Sequence, residues 1–333
     1  MFIRELAMDL GSQSVRIAVR GRGMLLEEAA LAAADRQSGE ILAAGNAAEE
    51  LLTASVGRFA ARYPVQNGVI ADPAAAGRML RGFFRKVTGR SPVRPDVLLC
   101  LPGFATPVEE RAAVDALTSA GARRVRVIES VRAAALGAGL DPARPMGSMV
   151  VDLGHSSCHA AVFAMDAIQE TQCRRFGAGL WDLALQRHMR REYGMLLGSR
   201  MAESIRRKAA DGEELCIPGR DLHSGQAMEQ QISSAELQTA WAPAVRELQE
   251  MAEQTLELAP PVLVSDLRAN GILFTGGGSL IPGAAEALSR SLDLPVRAAD
   301  DPLHAVIRGA ALRLGQHEES RAPAHPNTQT AVF

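Results

Sequence analysis

Short apolar runs alternate with longer amphipathic ones along the chain. Val97-Leu98-Leu99-Cys100-Leu101 is a continuous apolar run of strand length. A helical pattern follows over residues 107–120, and then a second short run, Val125-Arg126-Val127-Ile128. Amphipathic helices are expected over residues 74–87 and 234–258, the second with Ser233 or Ser234 as N-cap. Strands alternating with helices in this way predict mostly parallel sheets covered by helices. The opening stretch, MFIRELAMDLG, runs directly into a strand and has no signal-peptide core. No apolar run approaches the roughly 20 residues of a membrane-spanning helix, so any membrane contact is expected to be peripheral. Residues 315–333 are polar and proline-bearing and are expected to form a disordered tail.

Two of the strand runs share more than their pattern. Asp9-Leu10-Gly11-Ser12-Gln13-Ser14-Val15-Arg16-Ile17-Ala18-Val19 aligns without gaps on Asp152-Leu153-Gly154-His155-Ser156-Ser157-Cys158-His159-Ala160-Ala161-Val162, 143 residues later, with six of eleven positions identical. Each copy reads as a β-hairpin with a short polar turn containing glycine, so two related half-molecules are expected. Glycine lets a backbone approach a ligand closely, and successive N–H groups and serine hydroxyls make an anion-binding concavity. An aspartate ahead of each turn, Asp9 and Asp152, is suited to hold a hydrated Mg²⁺ between the halves. A third element completes the set. Gly271-Ile272-Leu273-Phe274-Thr275-Gly276-Gly277-Gly278-Ser279-Leu280-Ile281-Pro282-Gly283 reads as a buried strand and a triple-glycine turn, with a helix over residues 284–292 offering its N-terminal N–H groups.

Rival chemistries fit less well. Gly154-His155-Ser156-Ser157-Cys158 starts like a nucleophile elbow but lacks the closing glycine, and a strand rather than a helix follows. His155, Cys158 and His159 are metal-capable, yet neighbours in a strand face opposite sides and no fourth ligand has suitable spacing. They are expected to be ordinary hairpin residues. Composition narrows the classes further. A net charge of −2 and an aromatic content of 4% give no electrostatic or stacking footprint for nucleic acid. The four cysteines, Cys100, Cys158, Cys173 and Cys216, show no CxxC spacing, which predicts a reduced, cytoplasmic protein without structural zinc.

On these motifs the chain resembles the actin-like ATPases, specifically the bacterial actin family of MreB and Mbl. The similarity runs to about Leu314 and includes DRQSGEILAAG (35–45), NGVIAD (67–72), AAALGAG (133–139), GSMVVDLG (147–154), RREYGMLLGSR (190–200), IPGRDLHSG (217–225) and DDP (300–302). The resemblance implies an α/β, actin-like (ribonuclease H-like) duplicated two-domain fold with ATP and Mg²⁺ in the cleft between the halves. Domain I would span residues 1–143, with a small subdomain at about 30–70. Domain II would span 144–314, with a small subdomain at about 180–240.

The same resemblance assigns roles. Gly11, Ser12, Gln13 and Ser14 with Gly154, His155, Ser156 and Ser157 would contact phosphates, and Asp9 and Asp152 would hold Mg²⁺ through water. Gly276, Gly277, Gly278 and Ser279 match the family's triple-glycine turn on the adenosine side. Glu203-Ser204-Ile205-Arg206 stands where the family has Glu-Glu-Ile-Lys, so Glu203 and Arg206 join the nucleotide set. The departures fall in the same places. The second phosphate loop is usually Asp-Ile-Gly-Gly-Gly-Thr-Thr, and here two glycines are His155 and Ser156. If those positions need φ > 0 or bare backbone, tight binding is disfavoured. Where the family has Ile-Glu-Glu-Pro facing the γ-phosphate, this chain has Ile128-Glu129-Ser130-Val131. Ser130 replaces the water-orienting glutamate, so Glu129 and Ser130 are the catalytic candidates and hydrolysis is expected to be weak or absent.

The function implied is a filament-forming, ATP-binding actin homologue that organises cell-wall synthesis and cell shape. The alternative is a non-hydrolysing paralogue that co-assembles with an active one. Partners implied are further copies of the chain in head-to-tail protofilaments, a paralogous bacterial actin, and membrane proteins of cell-wall elongation. Membrane anchoring is expected to be weak, since Phe2 and Ile3 are the only apolar candidates at the start and the loop after Val87 is basic without an apolar finger. Of Phe83 and Phe84 at least one is expected in a helix core. A small-molecule kinase on the same fold would need an acceptor pocket with a carboxylate base, which no segment supplies.

Overall fold

The structure is a computed structural model describing residues 3–55, 57–89, 91–209 and 214–314. The expected tail over 315–333 lies outside these residues, as do Phe2 and Arg90. The chain opens with β1 (Glu5–Leu10), β2 (Ser14–Val19) and β3 (Gly23–Ala29). A small unit follows, with β4 (Ala32–Asp35), β5 (Ile41–Ala44), α1 (Asn46–Ala54) and β6 (Phe59–Arg62). The ribbon of β7 (Val65–Gln66) and β8 (Val69–Ile70) leads into α2 (Pro73–Thr88). Then come β9 (Asp96–Leu101), α3 (Pro107–Ala120), β10 (Arg124–Glu129) and α4 (Ser130–Gly137).

The same plan starts again with β11 (Ser148–Leu153), β12 (Cys158–Ala164), β13 (Ala167–Arg174) and α5 (Gly179–Tyr193). A second small unit holds β14 (Met195–Leu196), α6 (Ser199–Lys208), β15 (Leu215–Asp221) and β16 (Ala227–Ile232). The chain continues through α7 (Ser234–Leu258), α8 (Pro261–Asn270), β17 (Ile272–Thr275), α9 (Ala284–Leu292), β18 (Val296–Ala298) and α10 (Ala305–Leu312).

Among the described residues, two five-stranded sheets share one plan, β10-β9-β1-β2-β3 and β13-β12-β11-β17-β18. Each joins an antiparallel meander to two parallel strands. The repeat seen in two hairpins therefore extends to whole sheets. β9 is buried at every position, as its unbroken apolar run requires of a central strand. α2 starts on Asp72, whose carboxylate accepts from the Ala75 N–H, and buries both Phe83 and Phe84. α7 is capped by Ser233, whose hydroxyl accepts from the Glu236 N–H at 3.2 Å.

Two helices cross between the sheets. α10, the last described helix, packs Ile307 and Ala310 on Ala7, Ala18 and Leu98 of the first sheet. α4, which follows β10 of the first sheet, packs Val131, Ala134 and Ala135 on Val150, Ala161 and Phe163 of the second. They meet through glycine. A Cβ on Gly137 would stand 1.8 Å from the Ala305 carbonyl oxygen, and one on Gly309 would stand 1.8 Å from that of Ala133.

The expectation of an apolar anchor at the start is corrected for Ile3, which is buried in the core of the first sheet. No helix among the described residues is long and apolar enough to cross a membrane.

Candidate functional site

The two repeated turns face each other across the gap between the sheets. Leu10-Gly11-Ser12-Gln13-Ser14 links β1 to β2, Gly154-His155-Ser156-Ser157 links β11 to β12, and both line one cleft with Asp9, Asp152, Ser130, Arg206, Gly276 and Gly277. Sidedness follows from register. Asp9 lies opposite Arg16 and Asp152 opposite His159, and all four residues line the cleft. Cross-cleft bonds draw the turns together. The Ser156 hydroxyl donates to the Ser12 hydroxyl at 2.6 Å, and Gln13 Nε2 donates to Glu203 Oε1. The remaining cavity is about 120 Å³.

Glycine serves these turns by close packing rather than by left-handed backbone. Neither Gly11 nor Gly154 has positive φ. A Cβ on Gly11 would lie 2.8 Å from the Ser14 carbonyl oxygen, and one on Gly154 would lie 3.2 Å from that of Ser157. His155 and Ser156 also lie outside the left-handed region, so the expected strain from replacing two glycines is absent. The His155 carbonyl accepts from the Gly179 N–H at 2.8 Å, which fixes the turn on the start of α5. Its ring packs beside Gly179, and its Nδ1 is buried without a partner among the described residues. Burial and the nearby Arg206 charge hold the His155 pKa below the usual histidine value.

Asp9 is pushed up by burial, against the pull of Arg16 at 3.5 Å. Asp152 is pushed up to about 6 by burial, although its Oδ1 accepts from the Thr275 hydroxyl at 2.9 Å. Ionised, these two carboxylates would share a buried charge that a divalent cation such as Mg²⁺, held through water, would offset, so the oxygen donors fit that ion.

The triple-glycine element has the expected order, buried strand, glycine turn and a helix over Ala284–Leu292. Gly276 takes φ +80, and a Cβ there would stand 2.4 Å from the Leu153 carbonyl oxygen. Gly277 and Gly278 open a 3₁₀ turn, Gly277–Leu280, and α9 starts four residues after it, at Ala284. Gly278 and Ser279 are buried. A Cβ on Gly278 would meet the Leu153 side chain at 2.2 Å, and the Ser279 hydroxyl donates to the Gly276 carbonyl at 2.7 Å. These two residues hold the turn, while Gly276 and Gly277 face the cleft.

Other candidates are engaged elsewhere. Arg206 is buried and binds Asp182 through two hydrogen bonds, of 2.7 and 3.2 Å. Glu203 pairs with Arg207 at 2.8 Å besides accepting from Gln13. Glu129 is the N-cap residue of α4, makes no side-chain cap bond and does not line the cleft, whereas Ser130 does. Surrounding protein raises the Glu129 pKa. Sequence reasoning left out Arg16 and dismissed His159. The two sit at equivalent positions of the repeat, which was the available signal. No group of three or more His, Cys, Asp or Glu side chains placed to hold a metal ion occurs among the described residues.

Comparison with known proteins supports this reading of the fold. The chain is 34% identical to the cell shape-determining protein Mbl of Bacillus subtilis (strain 168) over 321 residues, 94% of this chain and 96% of that protein. It is 35% identical to the cell shape-determining protein MreB of Escherichia coli (strain K12) over 326 residues, 94% of each. The crystal structure of MreB5 of Spiroplasma citri bound to ADP superposes with a TM-score of 0.87 at 28% identity, covering 93% of this chain and 95% of that one. The MreB5 structure bound to AMPPNP gives 0.86. At 16% identity and a TM-score of 0.78, the MamK double helical filament shares the fold. The two repeated sheets with a cleft between them are thus the actin-like α/β fold. Matching the MreB/Mbl protein family over residues 3–322, the chain belongs to that family.

Proposed function

We propose that this protein is a cytoplasmic actin-like ATPase or ATP-gated scaffold that assembles head-to-tail into filaments and helps organise cell-wall synthesis and cell shape. The observation that carries this reading is the convergence of both repeated hairpins, with Asp9 and Asp152, on one cleft. The turns would hold phosphates through backbone N–H groups and the Ser12, Ser14, Ser156 and Ser157 hydroxyls. Asp9 and Asp152 would hold Mg²⁺ through water, and the ion would supply the positive charge that neutralises the phosphates. The MreB5 structures with ADP and AMPPNP support a nucleotide in the equivalent cleft of this chain. Head-to-tail contacts do not close on themselves and so give filaments. Nucleotide would bias the angle between the halves, and with it assembly.

A second reading is favoured by Ser130, which stands on the cleft wall where a water-orienting glutamate is expected. Serine is shorter and neutral, so turnover would be slow, and the protein would act mainly by co-assembling with an active paralogue and with membrane proteins of cell-wall elongation. The test is ATP binding and phosphate release with Mg²⁺, in the unmodified protein and in Ser130→Glu. Binding with slow release, raised about tenfold or more by the variant, is the expected result. Absence of ATP binding in both proteins would remove the nucleotide switch. Rapid release by the unmodified protein would remove the slow-turnover reading.

A further inference from the structure

The strand ends of the first sheet that face away from the cleft gather arginine. Asp9, Leu10 and Cys100 line the cleft at one end of β1 and β9. At the other end lies a groove of about 790 Å³, where Arg4, Arg20, Arg22, Arg123 and Arg124 surround Glu5 and Asp96. β1 has six residues, so the two sites stand roughly 20 Å apart. Five arginines against two acids give the groove a net charge of +3, in a chain whose net charge is −2.

Strand register sets the arginines in a row. Arg124 pairs with Asp96 across β10 and β9, Asp96 pairs with Glu5 across β9 and β1, and Leu6 pairs with Val19 across β1 and β2. Adjacent strands lie about 4.8 Å apart, so the row from Arg124 to Arg20 is roughly 15 Å long, with Arg22 in the turn beyond it. The acids neutralise only part of this row. Asp96 accepts from Arg123 at 2.8 and 2.6 Å and from Arg124 at 2.8 Å, so one carboxylate serves two guanidinium groups. Glu5 meets Arg20 at 3.5 Å. Arg4 and Arg22 are exposed and have no acidic partner among the described residues.

Shape and lining select among anionic partners. Ile3 and Val19 are the apolar residues of the groove, at 7% and 5% exposed, so no apolar side chain of its lining stands out into solvent. A flat bilayer would meet this surface by charge alone, whereas lasting adsorption needs an inserted apolar group as well. No aromatic ring lines the groove, so stacked bases find no platform. An extended polypeptide fits better. About five residues cover 15 Å at roughly 3.3 Å each, its carboxylates can each take a guanidinium, and its apolar side chains can lie along the arginine stems.

We propose that this groove docks an acidic segment of a partner protein, extended across the strand ends, with its carboxylates on Arg4, Arg22 and Arg124. An arginine cluster that reads an acidic motif is a recurring mode of peptide recognition. Charge complementarity carries the assignment, which does not depend on the nucleotide reading. Groove and cleft occupy opposite ends of the same strands, so a partner held in the groove leaves the cleft open to its own ligand.

The test uses the full-length protein and two fluorescein-labelled hexapeptides, one alternating glutamate with leucine and the other lysine with leucine. Anisotropy is expected to show saturable binding of the acidic peptide at about 0.05 M salt, weakened about tenfold or more at about 0.5 M, and no binding of the basic one. Arg4→Glu combined with Arg22→Glu is expected to weaken the acidic peptide about tenfold or more. Arg268→Glu combined with Arg290→Glu makes an equal change of charge at exposed sites of the second half and is expected to stay within about threefold. Sedimentation with phosphatidylglycerol vesicles is expected to be the same for both pairs. Failure of the acidic peptide to bind overturns the assignment, as does equal weakening by the two pairs. Vesicle sedimentation lost only with Arg4→Glu and Arg22→Glu also overturns it, because the occupant is then a lipid surface. Should that pair fail to fold, Arg4→Gln combined with Arg22→Gln decides, with about fivefold weakening expected and unchanged binding overturning the assignment.

Discussion

Asp152 is held in the fold at a cost that depends on pH. Burial is the main cause of its raised pKa of about 6, with the nearby Asp9 charge adding to it. A carboxyl whose folded pKa exceeds its unfolded value favours the fold below the unfolded pKa and loses that contribution as pH rises through the folded one. Between about pH 4 and pH 6 the protein without metal should therefore lose on the order of 2 kcal/mol from this group. Asp152→Asn removes the ionisation. Its thermal midpoint at pH 8 without Mg²⁺ should exceed that of the parent, with the difference vanishing near pH 4, while stabilisation by Mg-ATP is lost. Equal midpoints at pH 8 would show that the carboxylate is relieved by some other group. His159 has the opposite sign, since its pKa is lowered to about 4, so its contribution is present above the ordinary histidine value and lost as pH falls. Asp9, Asp152 and the turn glycines were legible because the two hairpins repeat them. Arg16 and His159 stood in the same alignment, but their difference lies in what the fold brings within reach: Arg16 meets Asp9 and Glu27, while neither ring nitrogen of His159 has a partner among the described residues.

At the scale of elements, the crossing of α4 and α10 is the contact most sensitive to a single carbon. Both glycines sit in ordinary helical backbone, so their requirement is steric. Gly309→Ala would drive a methyl into the Ala133 carbonyl oxygen and should cost about 1–3 kcal/mol or more in urea unfolding. Gly77→Ala, on α2 with open space around the new methyl, should instead stabilise by about 0.4–1 kcal/mol. Equal effects from the two would mean that the helices separate readily. Local pattern was enough to read α2, α3, α7, β9 and the hairpins, because periodicity and caps are written within each segment. It was not enough for the exchange of α4 and α10. AAALGAG reads equally well as a helix on either sheet, and what selects its place is a backbone contact with Gly309, 172 residues from Gly137. The 3₁₀ turn after Gly276 escaped for a similar reason, since Gly276 and Gly278 are demanded by contact with Leu153 on another strand.

Across the whole molecule, the cleft is closed by its own side chains. At about 120 Å³ it lies well below the roughly 300 Å³ at which small-molecule sites begin, so a nucleotide requires the halves to part. Gln13 to Glu203 bridges the mouth, Ser12 to Ser156 bridges the turns, and Arg200 Nη1 donates to the Thr53 hydroxyl at 3.2 Å between the two small units. Gln13 and Glu203, both expected to touch nucleotide, are hydrogen-bonded to each other. Each bond is worth about 1 kcal/mol net, or roughly fivefold in a rate governed by opening. Glu203→Ala combined with Arg200→Ala removes the Gln13–Glu203 and Arg200–Thr53 bridges at sites away from Asp9 and Asp152. Both the uptake and the release of a fluorescent ATP analogue, followed by stopped flow, should then accelerate by about 25-fold, with the ratio of the two little changed. Faster release with unchanged uptake would instead mean that Glu203 or Arg200 holds the bound nucleotide. Unchanged rates in both directions would mean that opening is limited elsewhere. The α4–α10 crossing is then the first candidate, because each of its helices rests on the sheet of the other half, and the Arg175–Glu109 pair at 2.8 Å is the second.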